Sequence, residues 1–312
     1  MNRVIFKTLK GLGILSLSLL VGLGGIHLSS RVIIHRLTLQ AQNTPLFEDV
    51  QYVSVGEHQL AYRLYNPGQA TTVIMIHGFM GSSYEYHDFF TEMVKTNDFT
   101  VIAFDSMGFG FSDKPLDFEY TSQNHALTLL TAIDALGIDT FTLMGHSMGG
   151  GIAIRMALID QSRIDNLVLI AAVGPELMER NGSAPPLWFF DLLFKNYFAQ
   201  RLGVNTATNE PLTSDVFAPF IIQNATIPSR VLQKFTLDQD TISYQNELKN
   251  LGVRTFLIYG AQDTWTPPSL LITYVQEMPR SAGYQLANSG HLPYLEQPEE
   301  LRSLIENFIN ND

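Results

Sequence analysis

The pentapeptide from Gly145 to Gly149 has the pattern Gly-x-Ser-x-Gly, with Ser147 at its centre. It follows an apolar run at residues 141–144 and leads into a helix-like segment at residues 148–159. A serine on such a strand-to-helix turn presents its hydroxyl at the edge of a sheet. The close approach of the backbone there requires small residues two positions before and after the serine. The spacing therefore predicts that Ser147 is a nucleophile.

Two other polar residues follow predicted strands, where the functional loops of a doubly wound sheet gather. Asp263 comes just after the strand predicted at residues 254–259, and His291 comes just after the strand predicted at residues 283–286. The chain order Ser, Asp, His is one in which such a triad occurs. We expect His291 to take the proton of Ser147 and pass it to the leaving group, while Asp263 holds the imidazole tautomer and stabilises its cation.

Other side chains are alternative candidates for this chemistry. Glu176 follows the strand predicted to end near Ala171 and could replace Asp263 as the acid. His77 could act as a second base, although hydrogen bonds that hold its own loop are the favoured interpretation. His146 is adjacent to the nucleophile. On a tight turn it is expected to point away from the serine and to pack.

Two backbone N–H groups are predicted to stabilise the negative oxygen that forms when a serine attacks a carbonyl. One is the N–H of Met148, directly after the nucleophile. The other is the N–H of Phe79, in the loop from His77 to Gly81 that follows an early predicted strand. The glycines of this loop allow it to lie flat beside a ligand.

Taken together, these residues resemble the α/β-hydrolase superfamily over about residues 50 to 310. The motifs that carry the resemblance are His77-Gly78-Phe79, the segment from Asp105 to Asp113, the segment from Gly145 to Gly150, Asp263 and Gly290-His291. Within that superfamily the chain is similar to capped, membrane-anchored acylglycerol and carboxylester hydrolases. Dehalogenases and epoxide hydrolases of this fold use an Asp nucleophile, which the chain lacks. Similar carbon–carbon hydrolases commonly have Gly-Asn-Ser where this chain has Gly-His-Ser.

Short apolar strands alternate with helices along the chain, as in a mostly parallel sheet covered on both faces. The eight predicted strands are 52–55, 59–65, 73–76, 100–104, 141–144, 167–171, 254–259 and 283–286. The main predicted helices are 83–95, 121–136 and 298–309. The predicted fold class is α/β: an α/β-hydrolase fold with a mostly parallel, eight-stranded, doubly wound sheet, an inserted helical cap and a preceding transmembrane segment.

The strand rhythm stops between residues 175 and 250, a segment rich in Pro and aromatic residues that we interpret as the cap. The predicted division is therefore an anchor and stalk at 1–40, a first core part at 41–174, the cap at 175–250 and a second core part at 251–312.

Aromatic residues of the cap are the predicted substrate contacts, namely Trp188, Phe189 and Phe194. They belong to an apolar stretch that begins after two prolines and is apolar almost all round a helix. Such a helix is either buried against the core or forms an acyl-binding or bilayer-touching lid, and one helix can do both.

The N-terminus predicts a membrane anchor. Arg3, Lys7 and Lys10 precede an apolar stretch of 18 residues from Gly11 to Leu28. This length is at the short end for a spanning helix and long for the apolar region of a cleaved signal peptide. The cations favour a single-pass anchor in the cell membrane with the catalytic domain outside the cytoplasm. Secretion after signal cleavage is the alternative.

The composition limits the classes of partner. The formal net charge is −11, which disfavours nucleic acid, and the chain has no cysteine for disulfides or thiol chemistry. His and carboxylate residues show no metal-ligand spacing. The sequence therefore predicts no metal, no cofactor and no nucleic acid, and makes no prediction of oligomeric state. The expected partners are a membrane, through the N-terminal segment, and a small-molecule or lipid ester.

The predicted function is hydrolysis of carboxylic esters with hydrophobic acyl groups, such as monoacylglycerols, through an acyl-enzyme. Other acyl-transfer chemistry stays open, namely an amidase, peptidase, perhydrolase or carbon–carbon hydrolase. Arg180, Arg201 and Arg230 in the cap leave room for an acidic substrate. A ligand-binding or signalling protein with little turnover is a further alternative, since a fold does not determine function.

Overall fold

Eight strands form one sheet in the computed structural model, which describes residues 24–42, 44, 46–174, 184–238 and 244–311. The strands are β1 (Gln51–Val55), β2 (His58–Tyr65), β3 (Thr71–Ile76), β4 (Phe99–Phe104), β5 (Phe141–His146), β6 (Ile164–Ile170), β7 (Arg254–Gly260) and β8 (Ser281–Leu286).

The order of the strands across the sheet is β1-β2-β4-β3-β5-β6-β7-β8. β2 is antiparallel to β1 and β4, and the remaining neighbours are parallel. Every residue of β4 and β5 is buried, as expected for central strands covered by helices on both faces. The predicted α/β fold class with a mostly parallel eight-stranded sheet is confirmed.

Helices cover both faces of this sheet and form the connections between its parallel strands. The helices in the described residues are α1 (24–41), α2 (His87–Thr96), α3 (Ser122–Ala135), α4 (Met148–Ile159), α5 (Leu187–Phe194), α6 (Tyr197–Ala207), α7 (Ser214–Thr226), α8 (Ser229–Leu237), α9 (Ser269–Glu277), α10 (Pro293–Glu296) and α11 (Pro298–Asn310). Two clusters of buried apolar side chains form the core.

The predicted anchor and stalk, residues 1–40, include α1. Residues 1–23, and with them most of the predicted span at 11–28, lie outside the described residues. Among the described residues, no helix combines the length and apolar character needed to cross a membrane. Ser30 of α1 is fully buried, and its Oγ accepts the N–H of Tyr197 at 2.7 Å. α1 therefore packs against the helices that follow β6.

The segment between β6 and β7, predicted as the cap, contains α5 to α8 in its described part. The end of α6 contacts the loop that follows β8, because the N–H of His291 donates to the carbonyl of Ala207 at 2.7 Å. Thr264, after β7, donates to the carbonyl of Thr206 at 2.7 Å. These bonds attach α6 to both loops that carry the predicted base and acid.

Candidate active site

Ser147 lies on the turn between β5 and α4. Its backbone has φ 52° and ψ −118°, in the left-handed region that residues other than glycine rarely adopt. The turn is held by the end of β6 and the loop after it, since the Ser147 N–H donates to the carbonyl of Ile170 at 2.9 Å and the Ser147 carbonyl accepts the N–H of Val173 at 3.1 Å. Backbone strain of this kind costs about 1–3 kcal/mol and persists only where the surroundings impose it. The serine is therefore held in a conformation that the local sequence alone disfavours.

The two glycines that flank this turn are required by close backbone approach. A Cβ atom at Gly145 would overlap the carbonyl of Gly149, and a Cβ atom at Gly149 would overlap the carbonyl of Ile76. Backbone atoms cannot move aside as a flexible side chain can. The predicted reason for small residues at these positions therefore agrees with the contacts that the turn makes.

Replacing Gly145 with alanine is expected to destabilise the protein by about 3 kcal/mol, the upper end of the usual range, because the new methyl group overlaps backbone of the following helix. The matched control is Gly203→Ala in α6, where a Cβ atom meets nothing within 4 Å. That control should stabilise the protein by about 1 kcal/mol through helix propensity. Urea unfolding measures both, and a Gly145→Ala protein as stable as the wild type would refute the overlap.

The three predicted catalytic side chains come together in one hydrogen-bonded line. His291 Nε2 lies 3.0 Å from Ser147 Oγ, and His291 Nδ1 lies 2.8 Å from Asp263 Oδ2. All three residues are more than nine-tenths buried. A neutral imidazole whose Nδ1–H donates to the carboxylate presents its Nε2 lone pair to the hydroxyl, the arrangement that proton removal from a serine requires.

Asp263 is held as a carboxylate by a dense set of donors. Its Oδ1 accepts the backbone N–H groups of Trp265 at 2.8 Å and Thr266 at 2.9 Å, and its Oδ2 accepts the Thr266 hydroxyl at 2.6 Å. Burial opposes ionisation, but the hydrogen bonds from His291 and Thr266 outweigh it, so the pKa of Asp263 lies below its ordinary value. The carboxylate therefore stays charged where the neighbouring base needs it.

This depressed pKa predicts how stability depends on pH. A carboxyl group with a lower pKa in the folded state stabilises the fold above its ordinary pKa, about 3.9, and loses that contribution as pH falls through the folded value. The difference in unfolding free energy between the wild type and Asp263→Asn should therefore narrow below about pH 4. Urea unfolding across the acid range checks this, and a difference that is constant with pH would contradict it.

Thr266 and Trp265 are neighbours of the triad that the sequence did not single out. The Thr266 hydroxyl, which donates to Asp263, also lies 3.1 Å from His291 Nδ1 and 3.0 Å from the carbonyl oxygen of Ala171. The Trp265 ring lies against the His291 ring, with centroids 5.2 Å apart. Both residues follow Asp263 within the same loop after β7. That position is the only sequence signal that points to them.

His77 holds the loop that contains Phe79. Its Nε2 accepts the N–H of Ser106 at 2.9 Å, so Nδ1 carries the proton and donates to the carbonyl of Gly78 at 2.7 Å. Burial lowers the pKa of His77, which favours this neutral form. Both ring nitrogens are thus engaged, in agreement with a bracing role rather than that of a second base.

The predicted oxyanion donors belong to two segments that adjoin the nucleophile. Met148 is the first residue of α4, directly after Ser147. The loop of Phe79 lies against the turn, since a Cβ atom built on Gly78 would be 3.2 Å from Ser147 Cβ. Among the described residues, neither the Phe79 N–H nor the Met148 N–H donates to a protein acceptor. Two donors of this kind beside a serine hydroxyl can bind a developing negative oxygen.

His146 does more than pack beside the nucleophile. Its Nε2–H donates to the backbone carbonyl of His291 at 2.8 Å, so residues on β5 and after β8 are linked directly. Burial lowers the pKa of His146 to about 3, which keeps the ring neutral and its Nε2 a donor in this tautomer. The ring also lies against those of Tyr86 and Tyr294. We infer that His146 helps to place the loop of His291.

Replacing His146 with phenylalanine is expected to destabilise the fold by about 1–3 kcal/mol, because it leaves the buried carbonyl of His291 without its donor. His146→Gln carries an amide that can reach the same acceptor and should recover most of that loss. Equal unfolding free energies of the two variants in urea would show that the hydrogen bond has no part in stability.

The predicted substrate contacts of the cap differ in position. The Phe194 ring lies 5.9 Å from that of Phe79, beside the oxyanion loop. Phe189 is partly exposed and contacts Phe190 and Trp188. Trp188 is 65% exposed at the surface. Phe194 is therefore the one of these residues that a contact within the described structure links directly to the catalytic centre.

The alternative acid and one of the three cap arginines lie outside the described residues, and the other two arginines can be placed. Glu176 and Arg180 lie outside the described residues. The Arg201 guanidinium donates to the carbonyls of Leu212 and Thr213, and Arg230 is exposed. Asp263 occupies the position of the orienting acid.

Comparisons with known proteins identify the fold. The family model described as alpha/beta hydrolase fold matches residues 71–298. A 2-hydroxymuconate semialdehyde hydrolase of Pseudomonas putida is 27% identical over 83% of this chain and 95% of its own. A probable lysophospholipase of Arabidopsis thaliana, BODYGUARD 4, is 35% identical over 35% of this chain and 26% of its own. The solved structure of a bacterial membrane phospholipase A is 22% identical, covers 99% of this chain and 98% of its own, and has a TM-score of 0.72.

Proposed function

The chain belongs to the α/β-hydrolase fold family, and on that premise we propose that it is a serine hydrolase that cleaves carboxylic esters with hydrophobic acyl groups, such as monoacylglycerols. The observation that carries the proposal is the line of hydrogen bonds from Ser147 through His291 to Asp263, with Ser147 on a strained turn.

The reaction would proceed in two steps. His291 Nε2 removes the Ser147 proton as Oγ attacks the ester carbonyl, and Asp263 stabilises the imidazolium. The N–H groups of Phe79 and Met148 hold the oxyanion of the tetrahedral intermediate. His291 then returns the proton to the alcohol as the C–O bond breaks, which leaves an acyl-enzyme on Ser147. Water, activated by the same imidazole, hydrolyses this ester and restores the serine.

A hydrophobic acyl group is supported by the aromatic side chains around the oxyanion loop. The Phe79 ring contacts Phe109, Phe194 and Phe235 with centroid distances of 5.0–5.9 Å. Apolar side chains with few polar groups among them suit a hydrocarbon acyl group rather than a charged acyl group. The partial similarity to a probable plant lysophospholipase agrees with a lipid substrate.

Carbon–carbon bond hydrolysis is the second candidate. It is favoured by the similarity to a 2-hydroxymuconate semialdehyde hydrolase over 95% of that protein. Its substrate carries a carboxylate, which calls for a cation in the pocket. In the described cap, Arg201 is engaged by backbone carbonyls and Arg230 is exposed. Together with Gly-His-Ser in place of Gly-Asn-Ser, these placements favour the ester over this candidate.

The proposed location is the cell membrane, with one N-terminal anchor and the catalytic domain outside the cytoplasm. It is supported by the apolar stretch from Gly11 to Leu28 and by the cations that precede it. A fusion of a reporter to the C-terminus, active only outside the cytoplasm, tests the orientation. Recovery from the medium of a protein that lacks its N-terminal residues would instead support cleavage and secretion.

Hydrolysis of p-nitrophenyl esters from acetate to palmitate, and of monoacylglycerols, tests the function. Activity that peaks at medium or long chains and disappears in Ser147→Ala supports the proposal. The same preparation is assayed with 2-hydroxymuconate semialdehyde. Turnover of that compound, without turnover of any ester, would replace the proposal with the carbon–carbon hydrolase.

A further inference from the structure

A groove of about 550 Å³ lies between α1 and the helices after β6. It is lined by His27, Arg31 and His35 from α1, and by Asp191 and Lys195 from α5 and its C-terminal end. This set contains one carboxylate, two permanently charged cations and two imidazoles. The groove is therefore a local basic site on a chain whose formal net charge is −11.

The basic side chains of α1 form one stripe. His27, Arg31 and His35 are spaced by four residues and so follow one side of the helix. The neighbouring side carries Leu28 and Val32, which are 65% and 45% exposed. The face that includes Ser30 is buried against the cap. The helix thus presents a basic stripe and an apolar stripe side by side to solvent.

α5 repeats this combination across the groove. Trp188, Asp191, Leu192 and Lys195 are spaced by three and four residues, so they share one helix face. The two charged members line the groove, where Lys195 Nζ lies 3.3 Å from Asp191 Oδ1. The two apolar members, Trp188 and Leu192, are 65% and 42% exposed. Tryptophan is enriched where a protein meets the headgroup region of a bilayer.

We propose that this α1–α5 groove binds the phosphate headgroup of an anionic phospholipid at the bilayer surface, with the exposed apolar side chains of both helices facing the acyl chains. Arg31 and Lys195 neutralise the phosphate from opposite walls. The predicted apolar stretch, residues 11–28, includes the first residues of α1, 24–28. A bilayer that holds this stretch would lie at the start of the groove. A bilayer is thus an occupant that fits the charge, the apolar rim and the path of the chain.

The proposal extends the proposed membrane location and does not depend on ester hydrolysis. It also places α5, which carries Phe194 beside the oxyanion loop, at the lipid surface. An enzyme docked in this way would receive its substrate from the bilayer rather than from solution.

Trp188 allows the groove to be tested in the full chain. The chain has two tryptophans, so Trp265→Phe leaves Trp188 as the only reporter, and Ser147→Ala prevents any consumption of lipid. This protein is reconstituted in phosphatidylcholine vesicles whose acyl chains carry bromine, with or without phosphatidylglycerol. Bromine quenches an indole only at contact. We expect strong quenching of Trp188 that increases with phosphatidylglycerol.

Removing the two cations should abolish that increase. Arg31→Gln with Lys195→Gln is expected to bring quenching down to the level seen in phosphatidylcholine alone. The matched control, Lys95→Gln with Lys249→Gln, removes two exposed cations elsewhere and should leave the increase unchanged. Thermal unfolding of both double variants confirms that each is folded.

Several results would overturn the proposal. If Trp188 is not quenched, or if its quenching does not increase with phosphatidylglycerol, the groove does not face anionic lipid. A response of Trp188 to inorganic phosphate, without one to the vesicles, makes the groove a site for a soluble phosphate instead. Flotation of the same vesicles measures retention by the N-terminal segment separately. A loss of lipid binding in the groove is thereby distinguished from a loss of the proposed anchor. Ester turnover is measured independently, with the protein in which Ser147 is intact.

Discussion

Ser147→Ala and His291→Ala are each expected to lower kcat for ester hydrolysis by about 10⁶-fold, and the double variant by no more than either alone. The reason is that the two side chains act as one unit. His291 Nε2 lies 3.0 Å from Ser147 Oγ, and among the described residues it is the only base that hydrogen-bonds this hydroxyl. Once either is lost, the remaining partner contributes nothing further.

Steady-state kinetics of the two single variants and the double variant with one p-nitrophenyl ester measure this coupling. The rate that remains should come from the oxyanion donors and substrate binding, about 10³- to 10⁴-fold above water. A fluorophosphonate should label the wild type at Ser147 and fail to label the alanine variant. Losses that multiply in the double variant would mean that the two residues act independently.

The sheet could be predicted closely because burial determines its strands. Short, mostly apolar runs, such as the one that begins at Phe141, are most stable when helices cover both faces of the sheet. β5 nevertheless extends through His146, two residues beyond the prediction, because the strand continues into the turn. β8 begins at Ser281, two residues before the predicted start, and its mostly exposed residues give only a weak apolar signal.

The sequence indicated the helix after Pro186 and the closing helix at 298–309, but α6, α7 and α8 between β6 and β7 could not be located from it. α7 includes Pro219, which removes one backbone donor and would normally end a helix. The cost of that proline, about 3 kcal/mol in a helix interior, is offset by burial of Phe217, Phe220 and Ile221 on the same helix. Burial of this kind depends on what the helix packs against, and that information is not local.

The triad could be predicted because each of its members follows a strand, and the topology of the sheet brings those strand ends together. The residues that hold the triad in place could not be predicted in this way. His146 reaches the carbonyl of His291 only because β5 and the loop after β8 meet, and Thr266 reaches Asp263 only through a turn of its own loop. Motifs identify the reacting groups, while the bonds that orient those groups are made by packing.

Asp263→Asn is expected to lower kcat by about 10⁴-fold with little loss of folded structure. The Oδ1 of Asp263 accepts two backbone N–H groups, from Trp265 and Thr266, so the amide oxygen of the variant must take that position. The amide nitrogen then replaces Oδ2 and donates to His291 Nδ1. The imidazole is thereby forced into the tautomer with its proton on Nε2, which cannot accept the proton of Ser147.

Thr266 can stabilise this catalytically inactive tautomer in the variant. Its hydroxyl can donate to the carbonyl of Ala171, 3.0 Å away, and accept the second amide hydrogen of the variant. Every polar atom of the site keeps a partner, so the variant is expected to stay folded and to lose only the stability that the charged carboxylate contributes above about pH 4. Nitrogen NMR of the His291 ring distinguishes the tautomers directly. If the Asp263→Asn protein keeps the imidazole proton on Nδ1, or retains near wild-type kcat, then Asp263 does not set the tautomer.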